Sequence, residues 1–382
     1  MKRLVFIMLL FILVVPTIAE ASGTKAVHIT ETTPVFKETG KVAVFLKGTS
    51  HTVIKESDKY YYTAIGGEEV KFSKQRATLS QESPGNWKAV HPVRAKTTSV
   101  ASILEKPAVK AKTIGTIQKN ETVHLQRIKG NYYPINVGGK TGYIRKDQVQ
   151  IETGIPVLMY HDIVERKVGN NVSELELKKF KEQMAYLKKN GWTTITPAQL
   201  ERWVQKKGKL PAKSVLITFD DGYASTVELA YPVLKEYGFQ ATSFLITSRI
   251  NRPGMVTEEG IRNTADVYSY QNHTHGFHMF NTMTNLSILQ SESRFAIAAD
   301  LQEANDTIEA LLETDTSVYA LAYPYGKYST ETLQALEDSH ISIAFTINEG
   351  NVFQGDPIHA LNRQRVHSQM TIQEFANKLI GK

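Results

Sequence analysis

Apolar positions follow two different patterns along the chain. Up to about residue 150 they come as short β-branched and aromatic runs broken by Gly, Lys and Asn, which predicts short strands joined by tight turns. From Ile155 onward, short apolar runs alternate with longer amphipathic stretches, which predicts repeated strand–helix units. Strands are expected at Ile155–Tyr160, Val215–Phe219, Ala241–Ile246, Val267–Tyr270, Val318–Tyr323 and Ile341–Thr346. Helices are expected at Ser173–Lys189, Ser225–Tyr237, Ser293–Leu312 and Thr330–Glu337. Ser173 with Glu176 spells a capping box, and Gly238 closes the second helix. The fold class expected is therefore multidomain: a small all-β part followed by an α/β part, either a parallel barrel or a doubly wound sheet.

The all-β part contains a repeat at an offset of 72 residues, Tyr60-Tyr61 and Gly66-Gly67 matching Tyr132-Tyr133 and Gly138-Gly139. Each Gly-Gly pair is expected to turn a hairpin. Pro84-Gly85 and Pro92 mark the stretch between the copies as a linker. The division expected is 22–82, a linker at 83–98, a second β-domain at 99–150, and an α/β domain at 151–382. The run Gly130 to Ile144 resembles the bacterial SH3-like domain of cell-wall proteins. The first copy is degenerate, with Val70-Lys71 where the second has Gly142-Tyr143, and is read as a divergent SH3-like barrel or another small β-fold. The tyrosines of these copies suit either barrel core or stacking on sugar.

Before residue 22 the chain reads as an export signal. Lys2 and Arg3 precede the apolar run Leu4–Val15, Pro16 breaks it, and Ala19-Glu20-Ala21 offers a small-x-small cleavage pattern. The run is well short of the ~20 residues a spanning helix needs. Residues 1–21 are thus expected to be a signal peptide, leaving a secreted, extracellular or wall-associated chain with no stable membrane span. The chain has 382 residues and no cysteine, which excludes disulfides, thiolate metal sites and cysteine nucleophiles, so any metal falls to His, Asp or Glu. Residues 22–150 carry 21 Lys/Arg against 10 Asp/Glu, and residues 151–382 carry 22 against 27. A basic module of +11 on an exported chain is expected to meet an anionic cell wall rather than nucleic acid.

Polar residues with metal or acid–base capacity cluster after the strands of the α/β part. They are Tyr160-His161-Asp162, Asp220-Asp221-Gly222, His273-Thr274-His275-Gly276-Phe277-His278 and Tyr323-Pro324-Tyr325-Gly326. In a parallel barrel the strand C-termini share one face, where active sites are built. Adjacent carboxylates repel, and a divalent cation would relieve that by binding one and leaving the other as a base; the plainer reading is that Asp221 caps the following helix. His273 and His278 are too far apart for one helical face but can converge on a loop, and two His with one Asp leave positions open for water and substrate.

These motifs resemble the polysaccharide deacetylase family, also called the NodB-homology domain. Thr218-Phe219-Asp220-Asp221-Gly222-Tyr223 matches its first motif. The second His stands at 278, with Phe at 277, a spacing that resembles the poly-N-acetylglucosamine deacetylase branch, as do Met159-Tyr160-His161-Asp162 and Tyr323–Gly326. The resemblance covers about Ile155 to Val366 and implies a distorted (β/α) barrel. It implies that Asp221, His273 and His278 bind a divalent metal, zinc first with nickel or cobalt as alternatives. It further implies Asp220 as general base, His161 as general acid, and the Tyr325 backbone N–H at the oxyanion. His275 is expected to point elsewhere. Two departures stand out. Ala322 occupies the place of an arginine that orients the base in many relatives, with Arg363 or Arg365 as the expected substitute. The usual C-terminal histidine has no match, although His367 is near. The activity expected is metal-dependent removal of acetyl groups from N-acetylglucosamine residues of peptidoglycan or poly-N-acetylglucosamine. The alternative is a wall-binding protein whose deacetylase-like domain is catalytically silent.

Overall fold

The computed structural model describes residues 25–85, 87, 92–126, 130–167, 169–312 and 317–381. The expected signal peptide, 1–21, lies outside these residues. The chain divides into two compact units between Glu152 and Thr153. No helix among the described residues is long and apolar enough to cross a membrane.

The first unit is all β. Its hairpins Tyr60–Ile65/Glu68–Ser73 and Tyr132–Val137/Lys140–Arg145 turn on Gly66-Gly67 and Gly138-Gly139, all four at positive φ. Two successive left-handed residues suit the twist of a hairpin and select Gly-Gly. The offset of 72 extends to the 3₁₀ turns Lys74–Arg76 and Lys146–Gln148 and to the strands Ala77–Leu79 and Val149–Ile151. Earlier in each copy the offset is 68. Val27 pairs with His51 and Leu79, as Ala95 pairs with Val123 and Ile151. Four extra residues between Leu104 and Thr113 account for the change.

The two copies meet about an internal two-fold. Strands Gly40–Phe45 and Thr113–Ile117 pair antiparallel, with Thr116 opposite Val44 at the centre and Gly115–Phe45 and Ile117–Ala43 on either side. Gly66 N–H donates to Asn136 O and Gly138 N–H donates to Ala64 O, both at 2.8 Å. His124 N–H donates to Gly66 O, and Thr52 N–H donates to Gly138 O. At Gly138 a Cβ would lie 2.6 Å from His51, so the approach itself requires glycine. Tyr61 and Tyr133 pack against the shared core, and lysines cover ring faces of Tyr60, Tyr61, Tyr62 and Tyr133.

The expected linker at 83–98 needs correction. Pro92–Thr97 is a strand that pairs with both Thr122–Gln126 and Val149–Ile151, burying Val93 and Ala95. Pro92 reads as a breaker, but the first residue of a strand tolerates proline.

The second unit is a closed parallel barrel. Its strands are β1 (Val157–Tyr160), β2 (Thr193–Thr194), β3 (Ser214–Phe219), β4 (Ala241–Leu245), β5 (Tyr268–Asn272), β6 (Ala320–Ala322), β7 (Ile343–Glu349) and β8 (Leu361–Arg365). β1 pairs with both β8 and β3, closing a ring in which the two-residue β2 is only a spur on β3. Helices are α1 (Leu177–Lys189), α2 (Pro197–Val204), α3 (Tyr231–Tyr237), α4 (Glu258–Asn263), α5 (Ile288–Ser291), α6 (Arg294–Leu312), α7 (Thr330–Asp338) and α8 (Ile372–Leu379). Alternate strand residues serve two cores. Val157, Leu216, Phe244, Ala322 and Phe345 form one cluster; Leu158, Ile217 and Phe219 join Phe180, Met184, Val233 and Leu234 from α1 and α3 in another.

The Ser173 capping box does not form. Glu174–Glu176 instead pairs with Asp162–Val164, and α1 starts at Leu177. Ser173 Oγ accepts from Arg365, and the Glu176 carboxylate accepts from Lys167 N–H. The expected helix from Ser225 opens as a π-helical turn, Thr226–Ala230, before α3, which Gly238 closes at φ 67°.

Candidate metal centre and catalytic site

β3 is buried along its whole length and delivers Asp220 and Asp221 at its C-terminal end. Asp221 adopts left-handed backbone, φ 73°, followed by Gly222 at 77°. Such a conformation costs a non-glycine residue ~1–3 kcal/mol and persists only where the surroundings hold it. The two neighbouring carboxylates go to different partners.

Asp221 Oδ1 lies 3.3 Å from His273 Nε2 and 3.2 Å from His278 Nε2. The three ligand atoms lie within 4.8 Å of one another. His273 Nδ1 is 2.6 Å from the Ala322 carbonyl, and His278 Nδ1 is 3.3 Å from the Tyr325 hydroxyl. An imidazole whose Nδ1 donates to a carbonyl presents the Nε2 lone pair, the usual arrangement of a metal-binding histidine. Burial would push the Asp221 carboxyl up, but its close contacts with His273 and His278, and the charge of His273 and His161 nearby, hold it well below the usual carboxylate range. The donor set, two imidazoles with fixed orientation and one ionised carboxylate, fits a divalent cation of the zinc, nickel or cobalt type. His275 faces away, with Nδ1 at 3.0 Å from Thr247 Oγ1 and Nε2 at 3.3 Å from Glu303.

Asp220 meets Arg363 in a bidentate pair, both N–O distances 2.7 Å, with both side chains essentially buried. Arg363 is oriented in turn by Nε–H donating to Thr346 O. Burial alone would raise the Asp220 carboxyl; the Arg363 charge and hydrogen bonds, with His273 and His161 nearby, outweigh it and lower it. Ala322 offers its carbonyl to His273, and the guanidinium that meets Asp220 comes from β8. Arg365 goes to Ser173 and not to Asp220.

His161 follows β1, and its buried Nδ1 has no hydrogen-bond partner among the described residues. Burial lowers its pKa, against the pull of Asp220 and Asp221. Tyr325 lies in the Pro324–Gly326 turn at φ 59°, and its ring packs against those of His278 and Phe280. The Glu374 carboxyl is lowered first by its hydrogen bonds with Thr371 and only to a lesser extent by His367 nearby, and among the described residues His367 bonds to none of these site residues. Two contacts escaped sequence reasoning: the Tyr325 hydroxyl on His278 and the Ala322 carbonyl on His273. The first has a signal in hindsight, a tyrosine in the fourth strand-end cluster; the second, a backbone group, has none.

Residues 207–344 match the family model described as polysaccharide deacetylase. The chain is similar to YxkH of Bacillus subtilis, whose name places it among the polysaccharide deacetylases, with 32% identity over 222 residues, 58% of this chain and 74% of that protein. It is 27% identical over 217 residues to the poly-beta-1,6-N-acetyl-D-glucosamine N-deacetylase of Staphylococcus aureus, covering 52% of this chain and 73% of that one. Among solved structures it is similar to the deacetylase PplD of Streptococcus pyogenes in complex with acetate. The TM-score is 0.54 at 25% identity, over 59% of this chain and 98% of that one.

Proposed function

We propose that this chain, which belongs to the polysaccharide deacetylase family, is a secreted divalent-metal-dependent hydrolase that removes acetyl groups from N-acetylglucosamine residues of a cell-wall or surface polymer. The observation that carries this reading is the buried Asp220–Arg363 pair beside the Asp221, His273 and His278 cluster. A silent domain would have no need to keep a buried, oriented base next to three converging ligands. The main support for the silent alternative, alanine at 322, loses its weight once Arg363 holds Asp220.

Asp221, His273 and His278 would hold the ion, which when bound would acidify a water and polarise the acetamide carbonyl. Asp220 then accepts the proton of the water that attacks the carbonyl carbon. Arg363 keeps that carboxylate ionised and aimed. The Tyr325 backbone N–H stabilises the oxyanion. His161 delivers a proton to the departing nitrogen, which would otherwise leave poorly as an amide anion. The products are acetate and a free glucosamine amine.

The direct test measures acetate release side by side from peptidoglycan, poly-β-1,6-N-acetylglucosamine and chitin oligosaccharides, before and after chelation. The expected result is release from one polymer at least, abolished by chelation and restored by zinc, nickel or cobalt. Zinc binding without acetate from any of the three would favour the silent alternative.

The likeness of residues 99–150 to SH3-like wall modules, and the +11 of residues 22–150 against −5 beyond, support a second role, retention on an anionic wall. Exposed charge attraction is screened as the Debye length falls from ~10 Å at 0.1 M salt to ~3 Å at 1 M. The full chain should pellet with isolated walls at low salt and release at 1 M, while a chain beginning at Thr153 should stay in the supernatant at both. Salt-resistant pelleting of the full chain would replace the electrostatic account with sugar stacking by Tyr132, Tyr133 or Tyr143.

A further inference from the structure

The loop joining the two histidine ligands is held from outside the site. Its second residue, Thr274, is fully buried and sits at φ 74°. Left-handed backbone is a genuine outlier for a β-branched residue, so the loop conformation must be imposed. Three successive amides show how. Thr274 N–H donates to Asn272 Oδ1 at 2.7 Å, His275 N–H to Asp300 Oδ1 at 2.9 Å, and Gly276 N–H to Asp300 Oδ2 at 2.7 Å. Asp300 is 7% exposed and lies on α6. The same helix also grips the residue that leads into the loop, since Asn272 Nδ2 donates to Leu301 O at 2.9 Å and to Asn305 Oδ1 at 2.6 Å.

We infer that Asp300 is a positioning residue: its carboxylate, by accepting two consecutive loop amides, fixes the spacing of His273 and His278 and so sets the affinity of the metal centre. Neither oxygen touches a ligand. The effect passes through the backbone between them, where a relaxed Thr274 would let the two imidazoles drift apart. A carboxylate fits this role because both of its oxygens accept; an asparagine would set an amide N–H₂ against one of the loop N–H groups.

The inference rests on Asp221, His273 and His278 being the ligands, and the experiment separates the two claims. Zinc affinity is measured by competition with a chromophoric chelator, and thermal unfolding is recorded for each protein metal-free and zinc-saturated. In Asp300→Asn zinc affinity should fall by about ten- to a hundredfold, the range seen when partners that orient ligands are removed. The gain in Tm on zinc saturation should shrink with it. His275→Ala, which keeps both amides on Asp300, should bind zinc as the native chain does. Should Asp300→Asn not fold, Thr274→Gly/Asp300→Asn should, because glycine accepts φ 74° without the clamp; failure of the double variant to fold overturns the assignment. Native zinc affinity and an undiminished zinc-dependent Tm gain in Asp300→Asn also overturn it. A native chain that takes up no zinc, nickel or cobalt would instead sink the ligand assignment.

Discussion

Asp220→Asn is expected to bind the divalent ion as the native chain does and to lose roughly 10²–10⁴-fold in kcat, the contribution of a positioned general base. Asparagine has the same shape and keeps one oxygen on Arg363, but it cannot accept the proton of the attacking water. The metal cluster does not include it, because the left-handed turn at Asp221 gives the two carboxylates separate partners. The check is twofold: acetate release under saturating substrate, and ion stoichiometry of the purified variant. Asp221→Asn supplies the contrast, losing ion and turnover together. Turnover within about fivefold of native in Asp220→Asn would move the base role to another group.

Arg363→Met is expected to be the most damaging single change to stability. The guanidinium is fully buried and its partner nearly so. Removing one member of such a pair strands the other and typically costs about 3–5 kcal/mol, which for a domain of this size corresponds to a Tm fall of roughly 10 °C. Much of the damage comes from the stranded carboxylate, so Asp220→Asn/Arg363→Met should be more stable than Arg363→Met alone. The pH dependence has a definite sign. Arg363 lowers the Asp220 carboxyl in the folded chain, so the pair stabilises at pH above the unfolded carboxylate value and loses that contribution as pH falls through the folded one. Without the guanidinium the carboxyl rises, and the acid limb of the rate profile moves to higher pH. Denaturant melts and pH–rate profiles of the three variants read both effects; a melt within about 1 kcal/mol of native for Arg363→Met would show that the pair matters little to the fold.

Arg363 also marks where sequence reasoning stops. The strand ends bearing Asp220-Asp221 and His273 were legible because apolar runs locate buried strands and few residue types can hold a metal. β8 reads Leu-Asn-Arg-Gln-Arg, with no apolar alternation, and Arg363 is 143 residues from the carboxylate it holds. Only the vacancy at Ala322 hinted that a base-orienting group must come from elsewhere, and it did not choose between Arg363 and Arg365. Ser173 and Glu176 show the opposite failure. Their spacing is a sound local signal, yet pairing of residues 174–176 with Asp162–Val164 overrides it. Asp300 was invisible for a third reason: an aspartate in an amphipathic helix looks like surface until the fold brings a strained loop against it.

The internal two-fold of the first unit bears on how that unit avoids unwanted association. A strand at the rim of a sheet exposes a row of unpaired N–H and C=O groups and invites pairing with another molecule. In a single copy, Gly40–Phe45 or Thr113–Ile117 would be such a rim. Here each covers the other, joining both copies in one sheet order. Neither copy can be deleted without laying bare the strand its sister shields. Copy number and oligomeric state are thereby linked, since a chain reduced to one copy would carry a sticky margin whose best partner is a second molecule of itself.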